Sequence, residues 1–307
     1  MLLRDLVPVE EPLAGHELTF DARFARGVVR YLATPSGAAL EGLARLPATG
    51  HLLDHADRFD QPVPRSTRTE IVRHLLARSA ESRDTIASSA NFFSGALLDD
   101  PRWVGDALRY LPPDFRFQGS LFLVAGYDIG VALAPHASLN AGHPHFARHP
   151  RELLYYAIHE LHHVGFMTYS PPPRIADLRT CADLVGLVDY STALEGTAVL
   201  AALDRRSSEN ALDHDEDYVA LGDERRMREY ATRYEEQRDY LRRRGTDPVD
   251  DEGLAVIERM SGGDRLWYRV GARMAIQVEG AEGRPALVAR IREGRDLRRE
   301  PRGRSAV

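Results

Sequence analysis

Apolar residues recur at helical spacing through RELLYYAIHELHHVGFMTY, residues 151–169, and stop ahead of Pro171, Pro172 and Pro173, which cannot continue a helix. The pattern predicts one helix there. Just upstream, GSLFLVAGYDIGVALAPHASLNAG, residues 119–142, carries short runs of Val, Leu and Phe broken by Gly, Asp and Pro, as in strands joined by turns. A small sheet is therefore expected immediately before the helix.

Residues 20–112 read as helices separated by short loops: DARFARGVVRYLATP, then RSTRTEIVRHLLARSAES with a Thr67/Glu70 capping box, then DPRWVGDALRYLPP. After the prolines, IADLRTCADLVGLVDYSTALEGTAVLAALDRR predicts one long helix or two shorter ones. DERRMREYATRYEEQRDYLRRRG then predicts a charged helix whose Met227, Tyr230, Tyr234 and Leu241 share one face. From residue 248, DPVDDEGLAVIERM, GDRLWYRVGARMAIQVEG and RPALVARIREG predict closing helices, with SGG at 261–263 as a turn. The expected fold class is α+β and predominantly helical. The expected division is a helical region over 1–112, a core over 113–294 and a disordered basic tail over 295–307.

Composition narrows this picture. With 307 residues, 43% apolar and 28% charged, the chain can bury a large core and has the balance of a globular protein. No run of 18 apolar residues occurs, and MLLRDLVPVEEPLAGHE lacks a basic segment followed by an apolar one, so a cytoplasmic, membrane-free protein is the expectation. The single cysteine, Cys181, excludes internal disulfides and Cys-based zinc fingers and fits a reducing compartment. A metal here would need nitrogen and oxygen ligands. The 40 basic residues are all arginine, and the absence of lysine excludes Schiff-base chemistry, a pyridoxal phosphate site and a Walker A loop. A net charge of −6 argues against nucleic acid as the main partner.

Against this background HELHH, residues 159–163, places three histidines and a glutamate inside an apolar segment. Burying such groups without partners costs on the order of 1–3 kcal/mol each. His159 and His163 stand one helical turn apart on one side, where both imidazoles can converge on one ion, while Glu160 lies on the flank. H-E-x-x-H on a helix is the pattern in which two histidines bind zinc and the glutamate serves as general base. His162 also lies about one turn from His159 and competes with His163 as ligand. The i, i+4 spacing favours His163 because it leaves Glu160 beside the water, and gives His162 a packing or supporting role.

A third ligand would leave one coordination position open. Glu195, in the apolar stretch DYSTALEGTAVLAA and followed by Gly196, Thr197 and Ala198, is the candidate; the small residues permit close approach of another helix. Asp183 and Asp189 are rivals on the same segment, and an arginine partner for Glu195 is the structural alternative. His143, His145 and His149 in GHPHFARHP read as polar loop residues, and His136 lies near the strand that would border a cleft.

HELHH, the LEGTA segment about thirty residues later and WYRVGARMAIQVEG together resemble the gluzincin-type zinc metallopeptidases, most closely uncharacterised zinc-dependent peptidase families with a helical HExxH, an EGxA segment and a later YxxGxxMA helix. The resemblance covers about residues 120–290. It implies a gluzincin-like fold, one Zn2+ held by His159, His163 and Glu195, and Glu160 as base. It also implies a peptide or small amide substrate along an edge strand. Tyr268 is the candidate oxyanion donor, with Tyr190 as a second choice; Trp267, Tyr268, Val270 and Met274 could equally form a core face.

Two other readings keep the same residues. Two histidines and a carboxylate also describe the facial triad of non-haem Fe(II) enzymes. A non-catalytic helical binding protein with a vestigial metal site is the other, although such a site has no need of Glu160. A di-iron bundle would require a second E-x-x-H, and Glu160/His163 is the only one in the chain.

Overall fold

A computed structural model describes residues 15–99 and 101–298. The chain divides into two compact units, Met1–Ala107 with Asp114–Thr168, and Leu108–Pro113 with Tyr169–Val307. The class is α+β and mostly helical, with one small mixed sheet.

In the first unit, β1 (Glu17–Asp21) precedes α1 (Arg23–Ala33), α2 (Gly37–Arg45), α3 (Pro47–Arg58), α4 (Arg68–Ser79), α5 (Arg83–Asp99) and α6 (Val104–Leu108). Then come β2 (Gln118–Val124), β3 (Gly130–Leu133), β4 (His136–Asn140), α7 (Pro144–Arg148) and α8 (Glu152–Tyr169). The strand order is β1-β2-β4-β3: β1 and β4 run parallel to β2, and β3 runs antiparallel to β4 as an edge strand. Leu121 to Ala125 are all buried, the continuous apolar run of a strand covered on both faces. The register puts Gly130 opposite Leu139 and Val131 opposite Ser138, so alternate residues face opposite helices. Glu160 of α8 meets the Gly130 face, and His51 of α3 packs on Phe122 and His136 of the other.

Two local outcomes differ from the pattern and one matches it. Glu17–Asp21 is a strand, with Leu18 and Phe20 buried in alternation, and it brings the N-terminal region into the sheet through β2, so this unit runs past residue 112. Among the described residues of 101–113, only the five-residue α6 is α-helix. At Thr67 the expected cap forms, with the Glu70 N–H donating to the hydroxyl at 3.1 Å; such a cap is worth about 1 kcal/mol.

The second unit contains α9 (Cys181–Ser208), α10 (Glu216–Leu221), α11 (Glu224–Arg244), α12 (Asp251–Ser261), α13 (Leu266–Glu282) and α14 (Arg284–Arg292). The stretch that could have been two helices is one, started by a capping box in which Thr180 and Asp183 satisfy each other's backbone N–H. Met227, Tyr230, Tyr234 and Leu241 form the buried face of α11 and join Leu184, Val188 and Val270 in the core. Among the described helices α9 alone is long and apolar enough to cross a membrane by length and composition, and here it packs against α11 and α13. At the start of the expected tail, Leu297 is buried and its carbonyl accepts from Arg290 at 2.8 Å. Residues 299–307 of that tail, and 1–14 at the other end, lie outside the described residues.

Candidate metal centre

α8 is apolar on nearly all sides, which makes it a core helix and carries HELHH inside with it. The His159 and His163 rings stand edge to face with centroids 4.4 Å apart, His159 half-buried and His163 buried. One turn of helix separates their Cα atoms, so the two side chains leave the backbone on the same side.

His162 is turned away from them. Its ring is fully buried, and its Nδ1 donates to the Ala107 carbonyl at 3.0 Å. A carbonyl only accepts, so the proton sits on Nδ1. Burial pushes its pKa down to about 3, which keeps the ring neutral. Among the two rivals one turn from His159, His163 is thus the ring that stands beside it.

Glu160 is buried against the edge strand. A methyl group on Gly130 would come within 2.5 Å of Glu160 Oε1 and 2.8 Å of its Cδ and Cγ. Only glycine leaves that space, so β3 holds the carboxylate over the helix flank. Of the remaining candidates in this unit, His136 Nδ1 accepts from the Ser120 N–H at 3.0 Å. His143 caps α7, accepting from the His145 N–H. His145, expected in a polar loop, lies on α7 with Nε2 3.1 Å from the fully buried Glu152 carboxylate.

In the second unit Glu195 lies half-buried midway along α9. Its two rivals on that segment are committed elsewhere. Asp183 Oδ2 accepts from the backbone N–H groups of Arg179 and Thr180, which lower its pKa, and serves as the helix cap. Asp189 makes a two-pronged pair with Arg238, both bonds 2.7 Å. The small residue beside Glu195 has the expected use: a Cβ on Gly196 would come within 2.2 Å of the Gly271 backbone, so α9 and α13 cross in backbone contact. Tyr268, one turn before that crossing, is half-buried, with the Arg265 guanidinium 3.6 Å from its ring centroid. The Tyr190 hydroxyl donates to the Ser170 carbonyl at 3.2 Å.

No protein-family model, curated protein or solved structure matches this chain. The chemistry therefore rests on the side chains themselves. Two imidazoles one turn apart are donors of the kind that zinc and iron take, and a carboxylate stands on the next residue. Sequence reasoning passed over one further group. His51 and His55 repeat the i, i+4 spacing on α3 within HLLDH, and both are buried. That spacing was the available signal; the absence of an adjacent glutamate kept it silent.

Proposed function

We propose that this protein is a zinc-dependent hydrolase of the gluzincin type that cleaves a peptide or small amide bond. The observation that carries the reading is the edge-to-face pair His159/His163 flanked by the Glu160 carboxylate, which Gly130 admits to the edge strand. A metal bound to that pair would polarise the scissile carbonyl and make water more acidic. Glu160 takes the proton from the attacking water and returns it to the leaving amine. β3, with β4 as its partner among the described strands, offers an edge to an extended substrate.

Glu195 is the third ligand in this proposal. It is favoured because Asp183 and Asp189, the other acids on its segment, are held by a helix cap and by Arg238. Tyr268 is the oxyanion donor proposed, with Arg265 stacked on its ring favouring a fixed orientation. The test compares the zinc-loaded parent with Glu160→Gln and Glu195→Ala on a mixed peptide library. The parent cleaves, Glu160→Gln keeps zinc and loses cleavage, and Glu195→Ala loses zinc. Cleavage by Glu160→Gln at the parental rate overturns the mechanism.

A further inference from the structure

α8 is closed to solvent along most of its length. From Glu152 to Met167 every residue is buried except Tyr156 and His159, which are half-buried. These two stand three residues apart and so share one side of the helix. The Tyr156 ring lies against the His159 ring, with centroids 6.3 Å apart and planes at 43°. Glu160 and His163, by contrast, are each 5% exposed. Whatever reaches the imidazole pair from the open side of α8 therefore arrives at His159, with Tyr156 beside it.

The GHPHFARHP segment, to which the hydrolase reading gives no role, braces that tyrosine. Its α7 sets the His145 and Phe146 rings nearly perpendicular to the Tyr156 ring, at centroid distances of 5.8 and 5.7 Å. Phe146 is 1% exposed, and His145 Nε2 lies 3.1 Å from the fully buried Glu152 carboxylate at the start of α8. Contacts between rings at such angles fix an aromatic group in one orientation. Three rings thus hold the apolar body of the tyrosine, whose hydroxyl is its polar tip. A side chain held in this way at the accessible edge of a site is preorganised to bind.

We propose that Tyr156 is a substrate-contacting residue, its hydroxyl donating a hydrogen bond to a main-chain carbonyl oxygen of the peptide or small amide that enters over His159. This rests on the hydrolase reading above, and it concerns binding of the substrate, not the oxyanion for which Tyr268 is proposed. Every peptide carries main-chain carbonyls, so the contact sets the register of the substrate without selecting a side chain.

The experiment uses the zinc-loaded full chain. Tyr156→Phe removes the hydroxyl and keeps the ring contacts. On the fastest-cleaved member of a mixed peptide library it is expected to lose at least about tenfold in kcat/KM, KM taking the larger share, with parental zinc content. A second measurement needs neither variant nor turnover: nitration by tetranitromethane, read by peptide mass spectrometry, with and without a peptide hydroxamate at a concentration that stops cleavage. Tyr156 is expected to be nitrated without the hydroxamate and to lose most of that modification with it, while the half-buried Tyr31 of α1 is modified equally in both. Parental kinetics in Tyr156→Phe beside an inactive Glu160→Gln overturn this inference and leave the hydrolase standing. Nitration of Tyr156 that the hydroxamate leaves unchanged, or loss of zinc in Tyr156→Phe, overturns it as well. A zinc-loaded parent that cleaves no peptide overturns the hydrolase reading and this inference with it.

Discussion

The two units bury ionisable side chains in opposite ways. In the second unit buried charge is neutralised by its opposite: Asp217, 3% exposed, receives Arg269 and Arg265 at 2.8 Å each, and Arg269 also donates to the Tyr230 hydroxyl at 2.8 Å. Asp189 meets Arg238, and Arg290 meets Glu282. In the first unit three of the buried groups on α3 and α8 are imidazoles that burial keeps neutral, with the pKa values of His51, His55 and His162 all pushed down to about 3. Paired charges lock a fold, whereas neutral imidazoles keep lone pairs for a metal or a substrate. On the reading proposed above, the first unit prepares the chemistry and most of the buried charge of the second is structural.

The sharpest way to break this contrast is to remove one group from each side. Glu160→Gln should lower hydrolysis by about 10²–10⁴-fold, the range of a general base, with unfolding and zinc content unchanged. A matching loss of stability would make Glu160 a structural group like Asp217. Asp217→Ala should do the reverse. Stranding the buried Arg269 should cost about 3–5 kcal/mol, read from the denaturation midpoint, without altering metal content in the folded fraction.

Glycine substitutions sharpen the same division at smaller cost. Gly271→Ala would drive a methyl to within 2.3 Å of the Thr192 carbonyl. Forcing α9 and α13 apart should cost about 1–3 kcal/mol. Gly130→Ala meets a side chain instead of backbone, so Glu160 should yield: the expected result is lost activity with a smaller change in thermal midpoint.

The effect with the smallest local slope is in pH. His51 titrates near 6.5 when unfolded and near 3 when folded, because of burial and the neighbouring His55 and His136. Between these values the unfolded chain binds more protons, so stability is complete above about pH 6.5 and falls as pH drops towards 3. His51 contributes at most about 1.4 kcal/mol per pH unit to that slope. His51→Phe should flatten it in urea titrations across pH 4–6.5; an unchanged slope would show that His51 is not the group responsible.

Part of this was legible in the residues and part was not. α8 could be read because three prolines end it and its apolar spacing is strong, and β2 to β4 because their Val, Leu and Phe runs are bounded by turn residues. β1 was hidden by its length: five residues give two buried apolar positions, and only pairing with β2 makes them a strand. His159, Glu160 and His163 announce themselves by local spacing. The standing of Glu195 against its rivals depends on distant partners: Asp189 is removed from contention by Arg238, 49 residues away, which no local pattern reveals. Asp183 could have been recognised, since Thr180 three residues before it is a capping signature. His55 was silent because its hydrogen-bond partner, Tyr127, lies 72 residues on.

Metal analysis tests the central claim most directly. The protein purified without added metal should carry about one zinc per chain, and His163→Ala and Glu195→Ala should each lose most of it while remaining folded, as expected for a three-ligand site. Parental zinc in both variants, iron in place of zinc, or no metal after zinc is supplied would contradict the account.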